Sequence, residues 1–221
     1  MVEDKNKAEQ LKKAKEVHDS NPLNKIADGR VQKHIEYYDM DDNKHVLDAT
    51  LQEPSALLVT QLNDMIAKGD GIVDYGAVFE ILMEKIIVSP NLNYEQMNKD
   101  LAKKYQNKIF RFTNKVGKKI KVNFKFPDYR SAFNIVLGAS KSNGDSNNVN
   151  TIKALNKYVI EDSNGESIDF DFYNRGHDGF GMIKELPDQA LAFLERTLDK
   201  DGYLSLLYKT FQYANTAITN N

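Results

Sequence analysis

The feature that most constrains the fold of this chain is a short alternating segment that ends in proline. From Lys119 to Phe126, polar and apolar residues alternate with a period of two, which predicts a half-buried β-strand. Pro127 then stops strand pairing, and its fixed φ suits the first turn of a helix. The same order of strand, proline and helix occurs earlier, from Val46 to Pro54. We therefore interpret the chain as copies of one small unit.

The repeat continues beyond the two prolines. At a shift of about 73 positions, the two segments align without a gap over about 38 residues. The matching pairs are Pro54 with Pro127, Gly71 with Gly144, Leu82 with Leu155, Ile87 with Ile160 and Asn91 with Asn164. Two of these pairs fall at a helix start and at a helix–helix turn, where restrictions on φ set the residue type. The alternative is that any two helical hairpins align this well.

These patterns predict a helix-dominated α+β protein, with two related units of β-hairpin plus helical hairpin and a C-terminal helical pair. An N-terminal charged helix and linker take residues 1–30, the first unit 31–107, the second unit 108–175 and the helical pair 176–221. In the second unit, Ile168, Phe170 and Phe172 alternate with Asp169 and Asp171. This alternation predicts a further strand with both carboxylates on its solvent face.

The composition argues against several classes of partner and compartment. The net charge of -2 offers no electrostatic argument for nucleic acid or a membrane surface. The chain has no cysteine, so disulfides and thiolate zinc sites are excluded. No segment approaches the roughly 20 consecutive apolar residues that span a bilayer, and the N-terminus has no apolar signal-peptide core. We expect a cytoplasmic protein that binds neither nucleic acid nor membrane.

The sequence predicts no catalytic residues, no metal site and no cofactor. Gly176–Gly181 has the wrong glycine spacing for a dinucleotide fingerprint. Asp199–Gly202 resembles part of a calcium loop, but Thr197 and Tyr208 would fall at its first and twelfth positions, where neither can serve. No two of the four histidines share a metal-ligand spacing; they are His18, His34, His45 and His177. An enzyme site assembled only in three dimensions is left open.

One segment resembles a known family. A strand is followed by Pro54, a helix, the glycine break at Gly69–Gly71 and a second helix, which runs into Ile86-Ile87-Val88-Ser89-Pro90-Asn91-Leu92. This order is similar to the small tail assembly chaperones of long-tailed phages and prophages of Gram-positive hosts, in which a helical segment runs into an I-V-x-P-x-L-like stretch. The segment from Asn150 to Phe172 is similar in character. The inferred doubling departs from the single short domain of that family.

The resemblance implies a non-enzymatic role in the host cytoplasm. Tail assembly chaperones coat the tape measure protein and help the tail tube protein polymerise around it, so these two proteins are the expected partners. Apolar grooves between paired helices would suit an amphipathic partner helix. Candidate contact residues, for each of which core packing is the alternative, are Met65, Phe79, Met83, Phe133, Phe180, Met182 and Tyr203. A structural virion component, such as a tail tube or connector protein, is the second hypothesis, and homo-oligomerisation is left open.

Overall fold

The computed structural model describes residues 29–67, 73–139 and 148–219, with side chains up to residue 216. The described elements are, in chain order, β1 (Arg30–Tyr38), β2 (Lys44–Gln52), α1 (Ala56–Ala67), α2 (Tyr75–Lys85), β3 (Ile87–Ser89), α3 (Tyr94–Asp100), α4 (Lys103–Gln106), β4 (Asn107–Thr113), β5 (Lys119–Lys125), α5 (Tyr129–Leu137), α6 (Asn148–Tyr158), β6 (Ile160–Glu161), α7 (Glu185–Asp199) and α8 (Tyr203–Thr219). The predicted N-terminal helix, nearly all of its linker and most of both predicted breaks between paired helices lie outside the described residues.

The chain contains two modules with the same order of elements. Module A consists of β1, β2, α1, α2 and β3, and module B of β4, β5, α5, α6 and β6; each has a three-stranded antiparallel sheet. The second helices, α2 and α6, are both 11 residues long. Leu51 pairs with Ile87 in module A, and Phe124 pairs with Ile160 at the aligned positions of module B. The prediction of a mixed α+β fold with two related units is confirmed.

Local chemistry explains why each helix follows its strand. The residue after each proline caps the next helix: Ser55 Oγ accepts a hydrogen bond from the Leu58 backbone N–H at 3.2 Å. In module B, Asp128 Oδ1 accepts one from the Ser131 backbone N–H at 2.8 Å. Proline ends the strand, and the next side chain satisfies a backbone donor at the start of the helix. The two prolines therefore act in the same way in both modules.

The C-terminal helical pair joins the modules. Helix α7 packs on α5 and α6 of module B, whereas α8 packs on β1, β2, α1 and α2 of module A. The Phe124 ring of β5 lies 6.1 Å from the Phe193 ring of α7. Helix α2 also packs directly on α5, where Gly76 leaves room for Arg130, since a Cβ at Gly76 would meet Arg130 Cγ at 2.5 Å. The two modules and the pair therefore share one hydrophobic core.

The strand predicted over Ile168–Phe172 is wrong. Asp171–Tyr173 forms a 3-10 helix instead. Asp169 Oδ1 accepts a hydrogen bond from the Phe172 backbone N–H at 3.2 Å, and Asp171 Oδ1 accepts one from Asn174 Nδ2 at 2.9 Å. Short carboxylate side chains compete with a strand ladder by bonding nearby groups. The two aspartates therefore stabilise a turn and do not form the solvent face of a strand.

Candidate interaction surface

Most of the predicted contact residues are core residues. Four side chains are buried: Phe79, Met83, Phe133 and Met182. The Phe79 and Phe133 rings meet edge to face with their centroids 4.7 Å apart, at the packing of α2 on α5. These four residues present no surface to a partner in this conformation.

The remaining three candidates, Met65, Phe180 and Tyr203, are half-buried and lie on separate elements. Met65 is on α1 and Tyr203 is on α8, where its ring lies 5.9 Å from that of Tyr129. Phe180 lies in the loop before α7, with Lys115 Nζ 5.9 Å from its ring centroid. The structure therefore does not bring the seven residues together into one contact surface.

The histidines and carboxylates that the sequence analysis considered as possible metal ligands make contacts within the protein. His34 Nδ1 lies 2.5 Å from Asp48 Oδ1 across the β1–β2 hairpin. The Asp199 carboxylate accepts hydrogen bonds from the backbone N–H and Oγ of Ser205, both at 2.8 Å, and so caps α8. Within the described ranges, no three His, Cys, Asp or Glu side chains are grouped so that they could hold a metal ion.

The loop at Gly176–Gly181 packs on the turn between β4 and β5. Asn114 Nδ2 donates a hydrogen bond to the Asp178 backbone oxygen at 3.1 Å. Lys118 Nζ lies 2.6 Å from Asp178 Oδ1. These bonds give the loop a structural role, in which it supports one end of the β4–β5 hairpin.

Asp39 organises the turn of the β1–β2 hairpin. Its carboxylate accepts hydrogen bonds from the backbone N–H groups of Asp41 and Asn43, both at 2.9 Å. It also lies 2.8 Å from His45 Nε2. The Asn43 backbone bond is the main cause that holds the pKa of Asp39 well below its usual range, followed by the bond to His45. The charged form of Asp39 therefore stabilises this turn.

The solvent side of the module B sheet is a concentrated positive surface. Residues directly opposite each other on antiparallel strands share a face, so Arg111 stands beside Lys121, and Thr113 beside Lys119. We call this surface the basic face; its members are Asn107, Ile109, Arg111, Thr113, Lys119, Lys121, Asn123 and Lys125. The opposite side of the sheet faces the core with Phe112, Val122 and Phe124. Alternation along the strands therefore separates the core from the charge.

Most of the charge on the basic face is not neutralised by residues of the described ranges. Lys125 Nζ lies 3.2 Å from Glu161 Oε1. Arg111, Lys119 and Lys121 make no ion pair with any residue of the described ranges. Like charges directly opposite each other on two strands are destabilising. The pairing of Arg111 with Lys121 therefore costs stability and offers two cations to solvent.

Module A does not place two cations opposite each other on its solvent side. Asp48 lies three residues before Leu51, as Lys121 lies three residues before Phe124, so the two positions correspond. The residue opposite Asp48 is His34, whereas the residue opposite Lys121 is Arg111. The solvent side of module A also holds an ion pair of 2.8 Å between Lys44 and Glu36. At these corresponding positions, module A therefore places a histidine opposite an acid, whereas the basic face places two cations opposite each other.

The net charge of the whole chain conceals the basic face. Between Asp100 and Asp128 the sequence contains nine lysines and arginines and no acidic residue. A local count of charge along the chain would have found this segment, whereas the total of -2 averages it against acidic residues elsewhere.

No protein-family model matches the chain, and neither a curated protein nor a solved structure matches it. The similarity of Ile87–Leu92 to tail assembly chaperones therefore stays a basis for a proposal. None of the described helices combines the length and the apolar character that a membrane span requires.

Proposed function

We propose that this chain is a non-enzymatic polypeptide-binding protein, and that it serves as a phage tail assembly chaperone in the host cytoplasm. In this role it would bind the tape measure protein and assist assembly of the tail tube protein around it. The observation that supports polypeptide binding is the basic face, where Arg111, Lys119 and Lys121 lie exposed and without acidic partners in the described part of the chain. The phage role is supported by the sequence of Ile87–Leu92.

The physical properties of the basic face suit a chaperone that must leave its client. Each exposed ion pair with a partner contributes at most about 1 kcal/mol, and salt weakens it further. Such charges speed association more than they tighten the complex. Binding through Lys119 and Lys121 is therefore expected to be fast and reversible, as handover to a polymerising tube requires.

Co-expression tests this function directly. The client to use is a tape measure protein, and we expect it to be more soluble and to co-purify when the present chain is expressed with it. Lys119→Glu with Lys121→Glu should reduce co-purification, whereas the charge-matched control Lys99→Glu with Lys153→Glu, on α3 and α6, should not. Absence of binding by the unmodified chain, with no change in client solubility, would overturn the chaperone role.

The second candidate is a structural virion component, such as a tail tube or connector protein. The two antiparallel sheets support it, because β1 and β4 are edge strands that subunits of an assembly could pair with. Mass spectrometry of purified particles separates the two functions. A chaperone is absent from finished particles, whereas a structural subunit is present in stoichiometric amount.

A further inference from the structure

Strand β4 offers free backbone groups at the edge of the basic face. The β4–β5 ladder is flanked by two hydrogen bonds, from Asn114 N to Lys118 O at 3.0 Å and from Phe126 N to Gln106 O at 2.8 Å. In an antiparallel pair, alternate residues bond the partner strand, so Ile109, Arg111 and Thr113 direct their N–H and C=O groups away from β5. The strand order β4-β5-β6 leaves β4 without a neighbouring strand on that side in the described part of the chain, and Phe180 of the loop at Gly176–Gly181 accepts the Lys115 N–H at 3.1 Å just beyond Thr113.

We propose that an acidic, extended polypeptide segment adds to this edge as a fourth strand and places its carboxylates on the basic face. The added strand would exchange main-chain hydrogen bonds with Ile109, Arg111 and Thr113, as in other β-augmentation complexes. This inference deepens the proposed function and rests on the chain being a polypeptide-binding protein. It does not depend on the phage role.

The dimensions of a sheet fit this arrangement. Neighbouring strands lie about 4.8 Å apart, and alternate residues of one strand are about 6.8 Å apart on the same face. A carboxylate on the added strand would therefore lie directly beside Arg111, in the same cross-strand row as Lys121. An acidic residue two positions along, beside Thr113, would lie in the same row as Lys119. Alternating acidic residues would thus place opposite charges beside Arg111 and Lys121, whose like charges repel each other in the free protein.

Protection of the edge does not explain these charges. Lysines on an edge strand can discourage unwanted pairing between sheets. Lys119 and Lys121, however, lie on β5, the central strand of the sheet, where no edge needs protection. Module A has an edge strand of the same kind in β1, yet it carries the pair His34 and Asp48 at the corresponding positions. Two cations opposite each other are therefore found in module B and not at the corresponding positions of module A.

The basic face favours a polypeptide over a single-stranded nucleic acid. Proteins that bind single strands on a sheet stack the bases on aromatic side chains. The eight members of the basic face include no aromatic residue. A phosphate backbone would also leave the outward N–H and C=O groups of β4 without the regular partners that a peptide strand provides.

Peptide binding measured by fluorescence anisotropy tests the inference. The probes are a labelled peptide of alternating threonine and aspartate, the same peptide with asparagine or lysine in place of aspartate, and an oligothymidylate. We expect the aspartate peptide alone to bind. The double variant Lys119→Glu with Lys121→Glu should weaken its binding at least tenfold. Binding of the oligothymidylate at equal or higher affinity would overturn the proposal.

A proline variant tests strand addition separately from charge. Ile109→Pro removes a backbone N–H that faces away from β5, so the β4–β5 ladder is kept. Gln32→Pro is its matched control, because Gln32 stands opposite Thr50 in module A as Ile109 stands opposite Asn123 in module B. We expect at least tenfold weaker binding for Ile109→Pro and no change for Gln32→Pro. Unchanged binding by folded Ile109→Pro would refute strand addition.

A third measurement covers the case in which a variant fails to fold. In the unmodified chain, saturating aspartate peptide should slow amide hydrogen exchange at Ile109, Arg111 and Thr113, as read by NMR. Unchanged exchange there, or peptide-independent self-association through the same amides, would contradict the proposal. If the peptide binds in this way while the tape measure protein does not bind, the inference stands and the phage role fails. If the tape measure protein binds while the peptide does not, the phage role stands and this site is rejected.

Discussion

The like-charge contact across β4 and β5 predicts that one substitution will raise stability while it removes binding. Arg111→Glu would place a carboxylate directly opposite Lys121 and diagonal to Lys119, converting a repulsive contact into an attractive one. Cross-strand charge pairs of this kind contribute roughly 0.2–1 kcal/mol, and exposed ion pairs fall in the same range. We expect the free energy of unfolding to rise by about 0.5–1 kcal/mol.

Urea denaturation, followed by far-UV circular dichroism at low and high salt, measures this change. For a chain of this length, 1 kcal/mol corresponds to a Tm shift of about 2–4 °C. The gain should largely vanish at 1 M NaCl, where the Debye length is about 3 Å. The same variant should lose binding of the acidic peptide.

Module A supplies the matched control for this prediction. Asp48→Lys removes the carboxylate that contacts His34 and places a lysine at the position that corresponds to Lys121. It should lower stability and leave peptide binding unchanged. If Arg111→Glu lowers stability, or raises it by an amount that salt does not alter, the reasoning from cross-strand charge is refuted.

Three further predictions, the first with a control substitution, test other parts of the structure. Phe133→Ala should lower the free energy of unfolding by about 3–5 kcal/mol because the Phe133 ring is fully buried. Leu57 is exposed, so Leu57→Ala should change the free energy of unfolding by less than about 0.5 kcal/mol. Equal effects of the two substitutions in denaturant titrations would contradict the assignment of Phe133 to the core. Asp74→Ala removes the cap on α2 and its contacts to Arg130 and Asn134 of α5, so a loss of about 1 kcal/mol is expected, and no loss would argue against this link between modules. The folded-state pKa of Asp39 is lowered, so its stabilising effect is present above the usual carboxyl pKa of about 3.9 and is lost as pH falls through the folded-state value. The Asp39→Asn variant should therefore be less stable than the unmodified protein at neutral pH, and the difference in stability should shrink in acid. A difference in thermal melts that does not depend on pH would be inconsistent with this cause.

The fold was predictable where local and tertiary preferences agree. Alternation through Lys119–Phe126 and the two prolines gave the correct strands and helix starts, because period-two burial and proline stereochemistry act over a few residues. The same alternation failed at Asp169 and Asp171, whose side chains bond nearby groups in a turn. Strands β3 and β6 are three and two residues long, too short for any period to be read, so they were missed.

The candidate site was harder to predict for a related reason. Apolar periodicity shows that Phe79 and Phe133 are covered, but it does not show whether the same chain or a partner covers them. The C-terminal helical pair and the packing of α2 on α5 complete the core that buries them. Prediction of the basic face requires two facts together, namely a local count of charge and the strand register that sets Arg111 opposite Lys121. Only the first can be obtained from the sequence.

Hydrogen exchange of the protein in complex with its polypeptide partner tests the central claim most directly. Mass spectrometry should show slower exchange over Asn107–Lys125 in the complex, and no change over Arg30–Gln52, the corresponding hairpin of module A. Equal protection of both hairpins, or protection confined to the helices, would contradict the claim that this protein acts through the basic face and the open edge of β4.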